Sequence, residues 1–166
     1  ENGLDLAQKI DIPSPIIKVG NWIGPLLVHA ATKKVSKILL LGYYGKLIKL
    51  AGGIFHTHNH LADARIEILV YFAVKEKLPL KIIHSFMNSQ TIDDAIKIVE
   101  GFNMQVAEKL IFEISNQIEI RSKEYIEKYI SSDIKIGVAL FDRERKIRSI
   151  SHNSQKMFSK FFTFKS

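Results

Sequence analysis

No cysteine occurs among the 166 residues, which excludes disulfides, iron–sulfur clusters, thiolate zinc sites and cysteine nucleophiles. No uninterrupted apolar run approaches the roughly 18 residues of a membrane span. The longest candidate is broken by Lys34 and Lys37. Proline occurs at four positions, and each punctuates the chain. Pro13 and Pro15 mark a turn-rich break, Pro25 falls in the first turn of a predicted helix, and Pro79 ends another. No serine–histidine–acid arrangement carries a nucleophile signature, and no internal repeat or low-complexity linker is visible. The opening Glu1-Asn2-Gly3-Leu4-Asp5 shows no methionine, signal peptide or basic leader. Leu4, Leu6, Ala7 and Ile10 have the spacing of a helix end, so the expectation is a chain that starts inside a larger protein.

What is present is an ordinary globular composition with a basic balance. Apolar residues make up 46% and charged residues 25%, unlike a disordered chain. The 24 basic and 17 acidic residues give a net charge of +7, which favours anionic partners without choosing among nucleic acid, an acidic membrane surface and a small polyanion. The pattern predicts a short β-prone run at Ile16–Val19, a helix over 22–33 and a helix over 47–50. Between these helices, Ile38–Leu41 is a continuous apolar run that fits a strand buried on both faces of a parallel sheet. Helices follow over 61–77, 80–87 and 92–99, the last with Thr91 as N-cap, and a long amphipathic helix runs over 104–130. Ile134, Ile136, Val138 and Leu140 alternate as in a strand. A polar turn at Asp142–Lys146 leads into a return strand at Ile147–Ile150. The tail, 154–166, sets Phe158, Phe161, Phe162 and Phe164 among lysines. The expected fold class is α/β, a three-layer Rossmann-like domain with a largely parallel sheet, followed by a C-terminal β-hairpin. Its expected parts are a helical remnant and linker at 1–14, the α/β domain at 15–131, the hairpin at 132–152 and the tail at 153–166.

Three groups of residues could carry chemistry. Gly42-Tyr43-Tyr44-Gly45-Lys46 ends the buried strand, and a glycine-flanked loop there would offer backbone N–H groups and a lysine to an anion. It lacks the spacing of a P-loop, and a plain strand-to-helix turn is the competing reading. Gly20-Asn21 after the first β-prone run could flank the same crevice at the carboxyl edge of a parallel sheet; a structural glycine competes here. His56-Thr57-His58-Asn59-His60, followed by Asp63 and Arg65, could bind zinc, hydrogen-bond an anionic ligand, or be a polar loop. Arg143, Glu144, Arg145 and Lys146 read as a solvated hairpin tip, and Trp22, Phe55 and Phe72 as core.

Taken together, Gly20-Asn21-Trp22-Ile23-Gly24, the run from Leu39 through Gly45-Lys46-Leu47 to Phe55-His56-Thr57-His58, and Ala62-Asp63-Ala64-Arg65 are more specific than any one of them. This run resembles the CbiD family, the cobalt-precorrin-5B C1-methyltransferases of anaerobic cobalamin biosynthesis. In that family a glycine–lysine loop runs into a "KLxKLAxGIFHTH" stretch and an "ADAR" helix start. The match is dense from Gly20 to Glu67 and loose onward to Leu140-Phe141-Asp142-Arg143. Tyr43-Tyr44 stand where the family loop has His-Ile. Family members are about twice as long, so the resemblance covers their C-terminal half and implies a separate N-terminal half as partner. It implies S-adenosylmethionine as methyl donor, cobalt only as part of the substrate, no protein-held metal, no nucleic acid, no membrane and a cytoplasmic enzyme. Homo-oligomerisation could hide the surface meant for the other half. On this resemblance Gly20, Asn21, Gly42 and Gly45 line the donor site. Lys46, Lys49 and Arg65 bind substrate carboxylates, and His56, His58 and Asp63 serve the reaction. The competing functions are a non-catalytic fragment that binds a polyanionic ligand or partner chain, and a histidine-cluster metal hydrolase.

Overall fold

The computed structural model describes residues 2–12 and 14–162. Pro13 of the predicted break and Phe164 of the predicted tail lie outside them. The elements are α1 (Asn2–Ile10), α2 (Ile23–Thr32), β1 (Lys37–Tyr43), α3 (Tyr44–Ala51), α4 (Arg65–Lys75), α5 (Leu80–Phe86) and α6 (Ile92–Phe102). They continue with α7 (Met104–Glu127), β2 (Lys135–Phe141), β3 (Ile147–Ile150), α8 (His152–Phe158) and a 3-10 turn at Ser159–Phe161.

β2 is the middle strand of a sheet ordered β1-β2-β3. The parallel partner expected for the Ile38–Leu41 run is β2, with Ile38 opposite Ile136 and Leu40 opposite Val138. A parallel neighbour requires a long crossover, and α3 to α7 supply it. β3 returns after the turn at 142–146 and is therefore antiparallel to β2. This corrects the expected fold. The sheet is small and mixed rather than largely parallel, and β2 and β3 complete the sheet that β1 begins. The β-prone run Ile16–Val19 adds no strand. Ile16 and Ile17 are 49% and 67% exposed, and β-branched residues favour strands only where neighbours cover them.

The period of two in each strand sends alternate side chains to opposite faces. Ile38, Leu40, Ile136, Val138 and Leu140 join the main core with α2 to α7. Leu39, Leu41 and Ala139 face Ile10, Ile12, Phe158 and Phe162, so α1 and α8 lie against the other face. The long helix is held by a stripe at Ala107, Leu110, Ile111, Ile114, Ile118 and Ile126. Its N-cap is Asn103, whose Oδ1 accepts from Val106 N at 3.1 Å. Thr91 caps α6 as expected, accepting from Asp94 N at 3.2 Å. Helix α8 had no clear signal in the sequence. Ser154 on it donates to Val138 O of β2 at 2.9 Å, across Gly137, where a Cβ would lie 2.6 Å from Ser154 Oγ.

Candidate functional site

The expected glycine loop is not a loop. β1 ends at Tyr43 and α3 begins at Tyr44, so Gly42 belongs to the strand and Gly45 to the helix. Their small size serves packing. A Cβ on Gly42 would lie 2.5 Å from Leu47 Cδ1, and one on Gly45 would lie 2.6 Å from the Tyr43 ring. The junction still stands at the carboxyl ends of the parallel pair, where open α/β sheets bind ligands.

From α3, Lys46 reaches across to donate to Gly20 O at 2.9 Å. Burial pulls its ammonium pKa down, and the charge of Lys49 adds to that. Asn21 is tied to the histidine segment twice. Its carbonyl accepts from Thr57 N at 3.0 Å, and its Oδ1 accepts from the Thr57 hydroxyl at 3.2 Å. An antiparallel bridge joins Trp22 to His56, and their rings meet edge-on with centroids 4.5 Å apart. The fold thus brings Gly20, Asn21, Lys46 and His56 together across more than 25 residues of sequence. Phe55 and Phe72 are core, but Trp22 is 64% exposed. It is held on the surface by the bridge rather than packed inside.

Lys49 has a different place from the one expected. It is 1% exposed, and its Nζ donates to Thr57 O at 3.2 Å, Asn59 Oδ1 at 2.6 Å and Ala62 O at 2.8 Å. An ammonium has three donors, so all are committed to folding the segment between His56 and Arg65. That wrapping also explains why α4 starts at Arg65 and not at Leu61: the carbonyl of Ala62 turns to Lys49 instead of continuing a helix. Asp63 lies 3.9 Å from the same ammonium. It accepts two bonds from Arg65, at 2.6 and 2.7 Å, and these hold its carboxyl below the usual carboxylate range. Asp63 and Arg65 line a small cavity of about 300 Å3 together with Met87 to Gln90.

The histidines do not form one cluster. The His56 Nδ1 is buried and has no hydrogen-bond partner among the described residues. His58 and His60 are exposed. Their rings stand 5.0 Å apart, and His58 Nδ1 accepts from His60 N at 3.3 Å. Among the described residues, no group of three or more His, Cys, Asp or Glu side chains is arranged to hold a metal ion.

Sequence reasoning missed a second group, beside the same strand ends. Asp93, in the first turn of α6, is 7% exposed and accepts from both Tyr43 and Tyr44, the latter at 3.0 Å. Arg143, in the turn between β2 and β3, places its Nε 3.1 Å from Asp93 Oδ2 and 3.4 Å from the Tyr43 hydroxyl. Burial and the Asp93 carboxylate push the Tyr43 pKa up to about 12, and they raise that of Tyr44 as well. Both phenols are therefore neutral donors at physiological pH. Tyr44, Asp93 and Arg143 line a cavity of about 620 Å3, a size typical of ligand sites. Neither cavity is lined by Lys46, His56 or His58. Nothing local signalled this group, because its members are separated by 50 and 100 residues.

These features define an α/β domain with cationic and tyrosyl groups gathered at the carboxyl end of a parallel strand pair. The comparisons are more specific. Residues 56–152 match the family model described as "CbiD, C-terminal domain", and the chain belongs to the CbiD family. It is 58% identical over 164 residues to a cobalt-precorrin-5B C(1)-methyltransferase of Prochlorococcus marinus subsp. pastoris (strain CCMP1986 / NIES-2087 / MED4), covering 99% of this chain and 44% of the relative. The protein of the same name from strain MIT 9515 is 54% identical over 164 residues, with the same coverage. The one from strain MIT 9313 is 48% identical over 149 residues, covering 89% of this chain and 39% of the relative. The chain thus spans less than half the length of these curated relatives. No solved structure matches it.

Proposed function

We propose that the chain is the C-terminal part of a cytoplasmic, S-adenosylmethionine-dependent methyltransferase that methylates C1 of cobalt-precorrin-5B in anaerobic cobalamin biosynthesis. The observation that carries this reading is the 58% identity, over 99% of the chain, to a relative bearing that methyltransferase name. The geometry supports it. The substrate is a ring with many carboxylates, and Lys46 and Arg65 supply cations near the carboxyl end of β1 that can make charge-assisted hydrogen bonds to them. Lys49 and Asp63 hold the segment that presents Arg65 and His58.

The sulfonium donor brings an already activated methyl group. What falls to the chain is to bind, orient and exclude water, effects that can supply about 7–11 kcal/mol. The buried Nδ1 of His56 fits such a site. It has no partner among the described residues, and a hydrogen-bonding group brought to it as the enclosure forms would remove the cost of leaving it unpaired. His56, or His58 beside it, would hold or move a proton. Gly42 and Gly45 would shape this part of the wall through close packing, and Gly20 and Asn21 through the bonds their chain makes to Lys46 and Thr57, rather than by a phosphate-type loop. The rest of the enclosure would come from the N-terminal part that the relatives possess.

The test is a hybrid in which the N-terminal part of the MED4-strain relative is joined to this chain. It is assayed without oxygen, with labelled S-adenosylmethionine and cobalt-precorrin-5B. Label should appear at C1 with the hybrid and stay at background with this chain alone. An inactive hybrid that is folded would overturn the reading. Turnover by the chain alone at the hybrid's rate would overturn the shared enclosure.

A further inference from the structure

We infer that Arg143 is a carboxylate-binding fork at the 620 Å3 cavity, held in place by Asp93 and Tyr43. The identity of the carboxylate, one borne by a tetrapyrrole-derived ring, rests on the function proposed above.

The geometry builds the fork from its base. A buried carboxylate needs partners, and Asp93 has both tyrosyl hydroxyls as donors. Its position is thereby fixed before Arg143 arrives. Arg143 then commits only Nε, bonded toward Asp93 and Tyr43, and this sets the plane of its guanidinium. Nη1 and Nη2 have no hydrogen-bond partner among the described residues, and the side chain is 62% exposed at the cavity wall. A guanidinium keeps its charge at any physiological pH, and its two terminal groups match the two oxygens of a carboxylate.

Neighbouring charges point the same way. The other arginine lining this cavity, Arg148, is already paired with Glu100 and with Asp142. Asp94, Glu108 and Glu144 also line the cavity. Lys97 and Lys146 line it as well, so charge alone does not gather anions there and a directed contact must hold one.

The test uses the 166-residue chain and uroporphyrin, a fluorescent tetrapyrrole whose rim carries carboxylates, as the probe. Binding is read by fluorescence for the wild type, Arg143→Ala, Arg143→Lys, Asp93→Asn and Lys46→Ala. Arg143→Ala should bind about 10-fold more weakly or worse with an unchanged melting temperature. Arg143→Lys should recover only part of this, because an ammonium is a point charge and not a fork. Asp93→Asn should weaken binding too. If Arg143→Ala binds like the wild type while Lys46→Ala is weakened, the fork is wrong and the proposed function stands. If the wild type does not bind the probe, the fork is refuted, while the proposed function stands or falls by the hybrid assay. Full recovery in Arg143→Lys would refute the two-pronged geometry. Undiminished binding by a folded Asp93→Asn would refute the role given to Asp93.

Discussion

Lys49 is buried in α3 with its ammonium at the centre of the turn formed by residues 57–62. Replacing it by methionine keeps the apolar stem but leaves two carbonyls and an amide oxygen without their donor. Each buried unsatisfied group costs about 1–3 kcal/mol, so Lys49→Met should lower stability by about 2–4 kcal/mol in denaturant titration. Lys46→Ala, whose lysine bonds one carbonyl at a less buried position, should cost far less. Asp63 gives a pH signature. Its folded pKa lies below the ordinary aspartate range because Arg65 bonds the ionised form. The folded state therefore binds fewer protons than the unfolded one, and the pair stabilises above the usual carboxylate range. Acidification through the lowered pKa removes that contribution. Asp63→Asn should melt below the wild type at neutral pH, and the gap should close as the pH falls below the usual carboxylate range. A gap that widens on acidification would refute the assignment.

At the scale of elements, the β2–α8 contact is close enough to leave no room for a side chain at Gly137. A Cβ on Gly137 would lie 2.6 Å from Ser154 Oγ and 3.3 Å from Ser154 Cα. The hydroxyl could rotate away, but the backbone contact persists and α8 would have to move. Overpacking of this kind costs about 1–3 kcal/mol, so Gly137→Ala should lower the melting temperature, whereas Gly101→Ala, with nothing within 4 Å of its Cβ, should not. The helices were largely legible. The stripe at Ala107–Ile126 and the Thr91 cap both acted as their spacing implied. The start of α4 was not, because a buried lysine from another helix takes the carbonyl of Ala62. No local pattern encodes that.

Across the whole molecule, β1 is an edge strand. Its apolar residues Ile38–Leu41 are only half-buried, while the β2 residues beside them are buried. Among the described residues its outer side has no ladder partner, and an open apolar edge invites pairing. Trp22, Ile16 and Ile17 are also exposed. If the relatives' N-terminal part covers this side, backbone amides of Lys37–Tyr43 should exchange hydrogen more slowly in the hybrid than in this chain alone. Equal exchange in both would place that cover elsewhere. Among the described residues no helix is long and apolar enough to cross a membrane.

The sequence alone determined the α/β class, the parallel partnership implied by a strand apolar on both faces, and the family to which the CbiD-like run belongs. These properties are local or short-ranged: periodicity, capping and a contiguous motif survive in one dimension. Tertiary structure decided which cations are committed and which are open. Lys49 and Arg143 are both basic residues near strand ends, and composition cannot separate them. Burial and three nearby acceptors turn Lys49 into a structural tie. For Arg143, a carboxylate 50 residues earlier leaves the terminal amino groups without a partner among the described residues. Hydrogen-bond partners drawn from across the chain set that difference, and they exist only once the fold has formed.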